Sequence, residues 1–277
     1  MKTLIKNGLL IDSANQVQAY LNLILEDGKV VAVTEEEPEA DRVIDATGKV
    51  VAPGFIDIHM HEDPVKDGKI EFCIFDAMLR MGVTTAVGGN CGINVYDPVK
   101  YLDMVEKDGA PVNVMLFAGH QYFREAAGAL DKYAPVTKEQ QEHMKKGLEK
   151  ALEAGCVGIS YGLRYVPGTG RDEFLDTASC CEKEHRMISA HVRDDEDRVF
   201  GAVAEVAEAG KLYNIPVQVS HIGSMAGFGQ MKQLLRQVDG YRMNGIDVAC
   251  DCYPYFAFST RIGATTYDDG WLERYHC

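Results

Sequence analysis

The residues best suited to chemistry begin in Val51–Asp63, which reads Val-Ala-Pro-Gly-Phe-Ile-Asp-Ile-His-Met-His-Glu-Asp. Phe55, Ile56 and Ile58 are β-formers and Pro53-Gly54 punctuates the entry, so the pattern predicts a strand over Phe55–His61. Side chains alternate faces along a strand, which puts His59 and His61 on the same side. Two neutral imidazoles on one face can share a metal ion, and zinc or another late divalent metal suits them. A His-x-His pair alone is weak; the positions around it add weight. His61 and Cys91 lie 30 residues apart, as do His191 and His221, and again His221 and Asp251. Each follows an apolar run, as in Ala86-Val-Gly-Gly-Asn-Cys91, Ile188-Ser-Ala-His191 and Val217-Gln-Val-Ser-His221.

That repeat is the length of one strand-helix unit. Candidate strands are Phe55–His61, Thr84–Gly88, Val112–Ala118, Val157–Tyr161, Met187–Val192, Pro216–His221 and Ile246–Cys252. Helical periodicity fills the intervals at Glu71–Gly82, Thr137–Ala154 (opened by a Thr-x-x-Gln capping pattern), Asp194–Tyr213 and Gln230–Asn244. Strands alternating with helices predict an α/β fold with a parallel sheet and helices outside it. If the sheet curls into a (β/α)₈ barrel, the carboxyl ends of its strands share one face, and residues remote in sequence converge there. Residues 1–50 read differently. Short β-rich runs at Thr3–Ile5, Gly8–Asp12, Leu21–Leu25 and Lys29–Thr34, separated by turn signals such as Asp27-Gly28, predict a small β-rich subdomain ahead of the barrel, which takes residues 51–277.

Composition narrows the function. The chain has 277 residues, 46% hydrophobic and 25% charged, as expected of a globular protein with a sizeable core. A formal charge of −14 argues against nucleic acid or an anionic membrane as partner. The N-terminal apolar run is too short and interrupted for a signal peptide, and no window approaches a membrane span, so a cytoplasmic location is expected. The 8 cysteines form no Cys-x-x-Cys pair and read mostly as reduced core thiols.

Pro53-Gly-Phe-Ile-Asp-Ile-His-Met-His61 resembles the first-strand signature of the amidohydrolase superfamily, metal-dependent hydrolases on a TIM-like barrel with a small β-domain. Gly88-Gly-Asn-Cys-Gly92, Ala118-Gly-His120 with Arg124, Gly158–Gly168, Ala190-His-Val-Arg-Asp194, Val219-Ser-His221, Asp251-Cys-Tyr-Pro-Tyr255 and Ser259-Thr260 make the chain similar, more specifically, to the N-acyl-D-amino-acid deacylases (D-aminoacylases). The resemblance implies a hydrolase that cleaves the amide of a small N-acyl amino acid with metal-activated water. It implies one or two Zn²⁺ ions held by His59, His61, Cys91, His191 and His221, with Cys91 where many relatives use a carboxylated lysine. Tyr253 is then an oxyanion donor, and Tyr165 and Ser259 are substrate-pocket candidates.

Two departures qualify this reading. The family's general base is an aspartate at the end of the eighth strand, and here about seven strands are counted with no such residue. The expectation is an incomplete barrel, with partner strands of the N-terminal subdomain also missing and with low or no activity from this chain alone. Relatives also place a carboxylate-gripping lysine two residues after the sixth-strand histidine, where this chain has Gly223; Arg261 is the candidate to supply that charge. The rival readings are a cyclic-amide hydrolase of the hydantoinase or dihydroorotase kind and an inactive metal-binding fragment. The first normally needs a bridging lysine near the fourth strand, and Val157–Tyr161 has none.

Plainer roles are weighed for each residue. Taken singly, Cys91 reads as a small buried residue, and His191 and His221 as core histidines. His120 and Arg124 read as structural, His143 and His185 as solvated. Asp194, Asp195, Glu196 and Asp197 read as a charged helix start. Asp57 and Asp251 are candidates to orient the histidines. Arg193 faces away from His191 and should form a structural salt bridge.

Overall fold

The computed structural model describes residues 1–260 and 262–275. Its chain divides into two units, Met1–Phe55 and Ile56–Cys277.

The first unit is built of two small sheets. One orders Lys29–Thr34, Asn22–Glu26, Lys2–Lys6 and Arg42–Asp45; the other orders Val17–Tyr20, Leu9–Asp12 and Val50–Val51. Its buried apolar side chains include Leu4, Leu10 and Ile24, which come from the runs legible in the sequence, and Ala46, which does not. Arg42–Asp45 and Val50–Val51 carry no such pattern, because Val43 and Val50 are largely exposed. They join as strands through long-range parallel pairing, which local pattern does not report.

The second unit carries a seven-stranded parallel sheet, curled as an incomplete TIM-like barrel. Its strands are β1 (Phe55–Asp57), β2 (Val83–Gly88), β3 (Asn113–Gly119), β4 (Gly158–Gly162), β5 (Met187–His191), β6 (Val217–Val219) and β7 (Val248–Cys250). They neighbour one another in chain order, with β1 and β7 as edges among the described residues. Helices α1 (Ile74–Arg80), α2 (Pro98–Asp108), α3 (His120–Ala126), α4 (Lys138–Glu153), α5 (Arg171–Ala178), α6 (Val199–Tyr213), α7 (Ile222–Met225) and α8 (Met231–Met243) lie between the strands, and α9 (Trp271–Arg274) follows them. The apolar core runs from Phe75 and Met78 on α1 through Leu148 and Leu152 on α4 to Val203 and Val206 on α6, against Leu116, Ile159, Ile188 and Val217 of the sheet.

Local chemistry sets the ends of α4. The Thr137 Oγ1 accepts from the Gln140 N–H at 3.2 Å, and the Thr137 N–H donates to Gln140 Oε1 at 2.9 Å, so both halves of the capping box form. Thr137→Ala removes one half. The expected cost is about 1 kcal/mol, read as a lower urea midpoint with an unchanged slope.

The first predicted strand is shorter than its pattern. It stops at Asp57, whose Oδ1 accepts from the His59 N–H at 3.0 Å and turns the chain. His59 and His61 therefore stand on an irregular segment past the strand, not within its pleat. The Met60 N–H still reaches the Val87 carbonyl at 3.2 Å, which keeps that segment against β2.

Candidate metal centre

Four strand ends deliver the histidines and the cysteine to one place. His191 is the last residue of β5; His59 and His61 follow β1, Cys91 follows β2 and His221 follows β6. Cys91 Sγ lies 3.5 Å from His59 Nε2 and 3.6 Å from His221 Nε2. Ring centroids of His59 and His221 are 5.1 Å apart, those of His191 and His221 4.4 Å, and those of His59 and His61 6.1 Å. Donor atoms of His59, His61 and Cys91 all lie within 4.8 Å of one another, and the same holds for Cys91, His191 and His221. The sulfur belongs to both sets.

The backbone at two of these positions is unusual. Cys91 has φ 56° and His221 has φ 34°, left-handed values that side-chain-bearing residues adopt at a cost. The turn around Cys91 is made possible by close backbone packing. A Cβ on Gly92 would stand 2.8 Å from the Gly162 nitrogen, and one on Gly162 would stand 2.2 Å from the Cys91 carbonyl oxygen. Polar side chains inside the strand ends complete the support. Asn90 Nδ2 donates to the carbonyls of Ile58 (3.1 Å) and Val87 (2.9 Å), and its Oδ1 accepts from Ser189 Oγ (3.1 Å). Ser160 Oγ accepts from the Gly92 N–H at 3.0 Å and donates to the Gly89 carbonyl. Asn94 joins Glu62, the Phe117 carbonyl and the Gly119 N–H. Asn90 was visible in the sequence as part of a motif, but two of its three partners, Ile58 and Ser189, are 32 and 99 residues away and left no local trace.

The ring nitrogens of His59, His221 and His191 differ in their surroundings. His59 Nδ1 sits 3.4 Å from Asp251 Oδ2, which leaves Nε2 toward the sulfur. Asp251 is itself held by the Gln218 amide (2.9 Å) and by the His221 backbone N–H (2.5 Å). His221 Nδ1 meets Ser224 Oγ at 3.1 Å, again leaving Nε2 for the sulfur side. His191 is buried, and its Nδ1 has no hydrogen-bond partner among the described residues. Burial, reinforced by neighbouring His221 and His59, pushes His191 well below the ordinary imidazole range, and burial beside His59 takes His221 down to about 4. Burial acts the same way on His59, but hydrogen bonds to Asp251 and Cys91 outweigh it and raise that ring to about 10. Burial thus favours neutral imidazoles at His191 and His221, both close to the sulfur, while Asp251 and Cys91 favour a proton on His59 as long as no metal takes its place. The shared sulfur, the neutral rings and the unpartnered His191 nitrogen fit a thiophilic divalent metal.

The cluster forms part of the wall of a cavity of about 570 Å³. Tyr165, Tyr253 and Ser259 line it too, and the Tyr165 ring lies 4.4 Å from His191. Arg261 lies outside the described residues. Gly223 sits where a Cβ would come within 2.8 Å of Cys252 Sγ, so a larger residue there would have to displace that thiol. Asp57 orients His59 through its backbone, not its ring. Arg193 pairs with Glu205 at 2.8 Å, away from the site, and His143 and His185 are exposed. His120 and Arg124 stand on α3 instead of a loop; both are buried and meet Glu173 Oε1 at 3.0 Å. Asp195 is buried and lines the cavity in addition to standing at the start of a helical turn.

Residues 42–161 match the model of the amidohydrolase family. That stretch places an amidohydrolase domain in the chain. The chain is 31% identical to the N-acyl-D-glutamate deacylase of Alcaligenes xylosoxydans xylosoxydans over 92% of this chain and 57% of that protein. It is 28% identical to the D-aminoacylase of the same organism, over 94% and 58%. Among solved structures, the N-acyl-D-glutamate deacylase from Bordetella bronchiseptica, complexed with zinc and a phosphonate mimic of the tetrahedral intermediate, superposes with a TM-score of 0.79. Its identity is 30%, over 91% of this chain and 58% of that one. A crystal structure of D-aminoacylase superposes with a TM-score of 0.80 at 26% identity and the same coverage. The chain therefore spans under three fifths of the length of these relatives. Among the described residues, no helix is long and apolar enough to cross a membrane.

Proposed function

We propose that this chain carries the metal centre of a zinc-dependent hydrolase of carbon-nitrogen bonds, one that removes the acyl group from N-acyl-D-amino acids. The observation that carries the reading is Cys91 Sγ, placed 3.5 and 3.6 Å from imidazole nitrogens of His59 and His221 and common to both donor sets. His59, His61 and Cys91 would hold one ion and Cys91, His191 and His221 another, with the sulfur common to both sets. Zinc bound there supplies Lewis acidity toward the scissile carbonyl and makes water acidic enough to attack near neutral pH.

The chain's own residues do the rest. Asp251 orients His59 through Nδ1 and keeps Nε2 available, the arrangement that raises a histidine's strength as a ligand. Tyr253 brings a phenolic O–H into the cavity, where it donates to the oxyanion that develops as the amide carbon becomes tetrahedral. Tyr165 and Ser259 position the substrate. The substrate is a small molecule; the residues that point to it say nothing of nucleic acid or membrane.

Metal analysis combined with release of acetate from N-acetyl-D-amino acids tests the reading. One or two zinc ions per chain together with turnover support it. A zinc-loaded chain inert across the panel leaves only a metal-binding protein, and a chain that takes up no zinc overturns the site itself. Tyr253→Phe is expected to lower kcat about 100-fold while zinc content stays at the wild-type value. A loss of zinc alongside activity would remove Tyr253 from the oxyanion role.

A further inference from the structure

The cavity contains a second polar feature that the metal centre does not use. Asp195 lines the cavity wall, yet the residue is only 8% exposed. It occupies the N-cap position of the turn Glu196–Arg198, but its side chain makes no capping hydrogen bond there. Its Oδ2 accepts from the Tyr275 hydroxyl at 2.5 Å, and its Oδ1 is buried with no partner among the described residues. The Nη1 of Arg164 pairs at 3.5 Å with Asp194, the neighbouring carboxylate, while its Nε and Nη2 are buried with no partner among the described residues. A nearly buried carboxylate missing one donor is costly to maintain unless something completes it.

The surroundings say what would. Tyr165, Phe228, Tyr253, Tyr255 and Phe258 give the cavity an aromatic wall, and no lysine or arginine lines it among the described residues. Aromatic faces attract cations and a buried carboxylate binds them, whereas an acidic substrate side chain placed against Asp195 would be repelled. A formal net charge of −14 draws a cationic ligand in the same direction.

We propose that Asp195 is a specificity residue for a cationic substrate side chain, an ammonium or guanidinium, so that this chain selects N-acyl amino acids of lysine or arginine type over acidic ones. The inference rests on the deacylase reading above and separates this chain from the relatives named for glutamate. It involves no new chemical step; the side chain is bound and the same amide is cleaved.

Calorimetric binding of Nα-acetyl-D-lysine, Nα-acetyl-D-norleucine and Nα-acetyl-D-glutamate to the zinc-loaded chain tests it independently of turnover. The expected result is lysine binding roughly tenfold or more tighter than its neutral isostere norleucine, with glutamate weakest. In Asp195→Asn the lysine-to-norleucine ratio is expected to fall to about one, a change of ratio that loss of structure would not produce. Equal binding of lysine and norleucine by the wild-type chain, tighter glutamate, no measurable binding of any of the three, or an unchanged ratio in a folded variant overturns the proposal. The wild-type comparison decides even if the variant does not fold. Failure of the deacylase reading is recognised separately, as absence of acetate release from ligands that bind.

Discussion

Replacing Cys91 with alanine is expected to remove bound zinc and amide hydrolysis together. The sulfur is the one donor common to the two sets of ligands, so its loss leaves neither set with its three donors. Disturbing an outer partner of a ligand already costs about 10–100-fold in metal affinity, and removing a thiolate that faces two imidazoles should exceed that range. Competition against a chromogenic chelator reads the affinity directly. The expected change is more than about 100-fold, with a far-ultraviolet spectrum matching the wild type. Cys91 occupies a left-handed backbone position that it holds at some strain, so exchange for alanine changes the donor without relieving the turn. Wild-type zinc affinity in the alanine variant would place the metal elsewhere. Asp251→Asn provides the graded counterpart. It keeps the shape but removes the charge facing His59 Nδ1, and a loss of about 10–100-fold is expected.

How much of this could be read from the chain depends on the range of each interaction. The barrel strands were legible to within a few residues because a strand packed under helices reads as a continuous apolar run, as in Leu116-Phe-Ala118. The recurrence of Cys91, His191 and His221 after such runs was enough to expect convergence, since strand ends in a parallel sheet share an edge. The details that make the site work were not legible. Asp57 ends its strand by bonding to a backbone N–H two residues on, and β-propensity alone does not weigh that turn. Left-handed φ values at Cys91 and His221 depend on glycines and carbonyls that approach from other strands. Asp195 reads as one of four consecutive acidic residues; only its burial against Tyr275, 80 positions away, distinguishes it from its neighbours. Composition along a window carries no information about such pairings.

Buried charge outside the metal centre shows the same limit and leads to the largest expected effect on stability. Arg124 is 1% exposed, His120 1% and Glu173 4%; a single oxygen, Glu173 Oε1, meets both Nε of Arg124 and Nε2 of His120 at 3.0 Å. Arg124 also donates to the carbonyls of Asp131 and Ala134, so one guanidinium ties α3 to α5 and to the loop before α4. Glu173→Ala would leave that guanidinium buried without its carboxylate. Breaking a buried pair from one side costs about 3–5 kcal/mol, because the remaining charge keeps its desolvation penalty and loses its partner. Chemical denaturation should show a loss of that size in the single variant. The combined variant Glu173→Leu, Arg124→Met and His120→Phe should recover much of it, since apolar side chains carry no such penalty, apart from the carbonyls that Arg124 no longer satisfies. A Glu173→Ala loss below about 1 kcal/mol would mean that water reaches the guanidinium, contrary to its near-complete burial. Because the triad lies behind β4 and is not part of the cavity wall, zinc binding in the folded fraction of Glu173→Ala is expected to match the wild type. The same titration that exposes the role of Cys91 therefore separates the residues that hold the barrel from those that hold the metal.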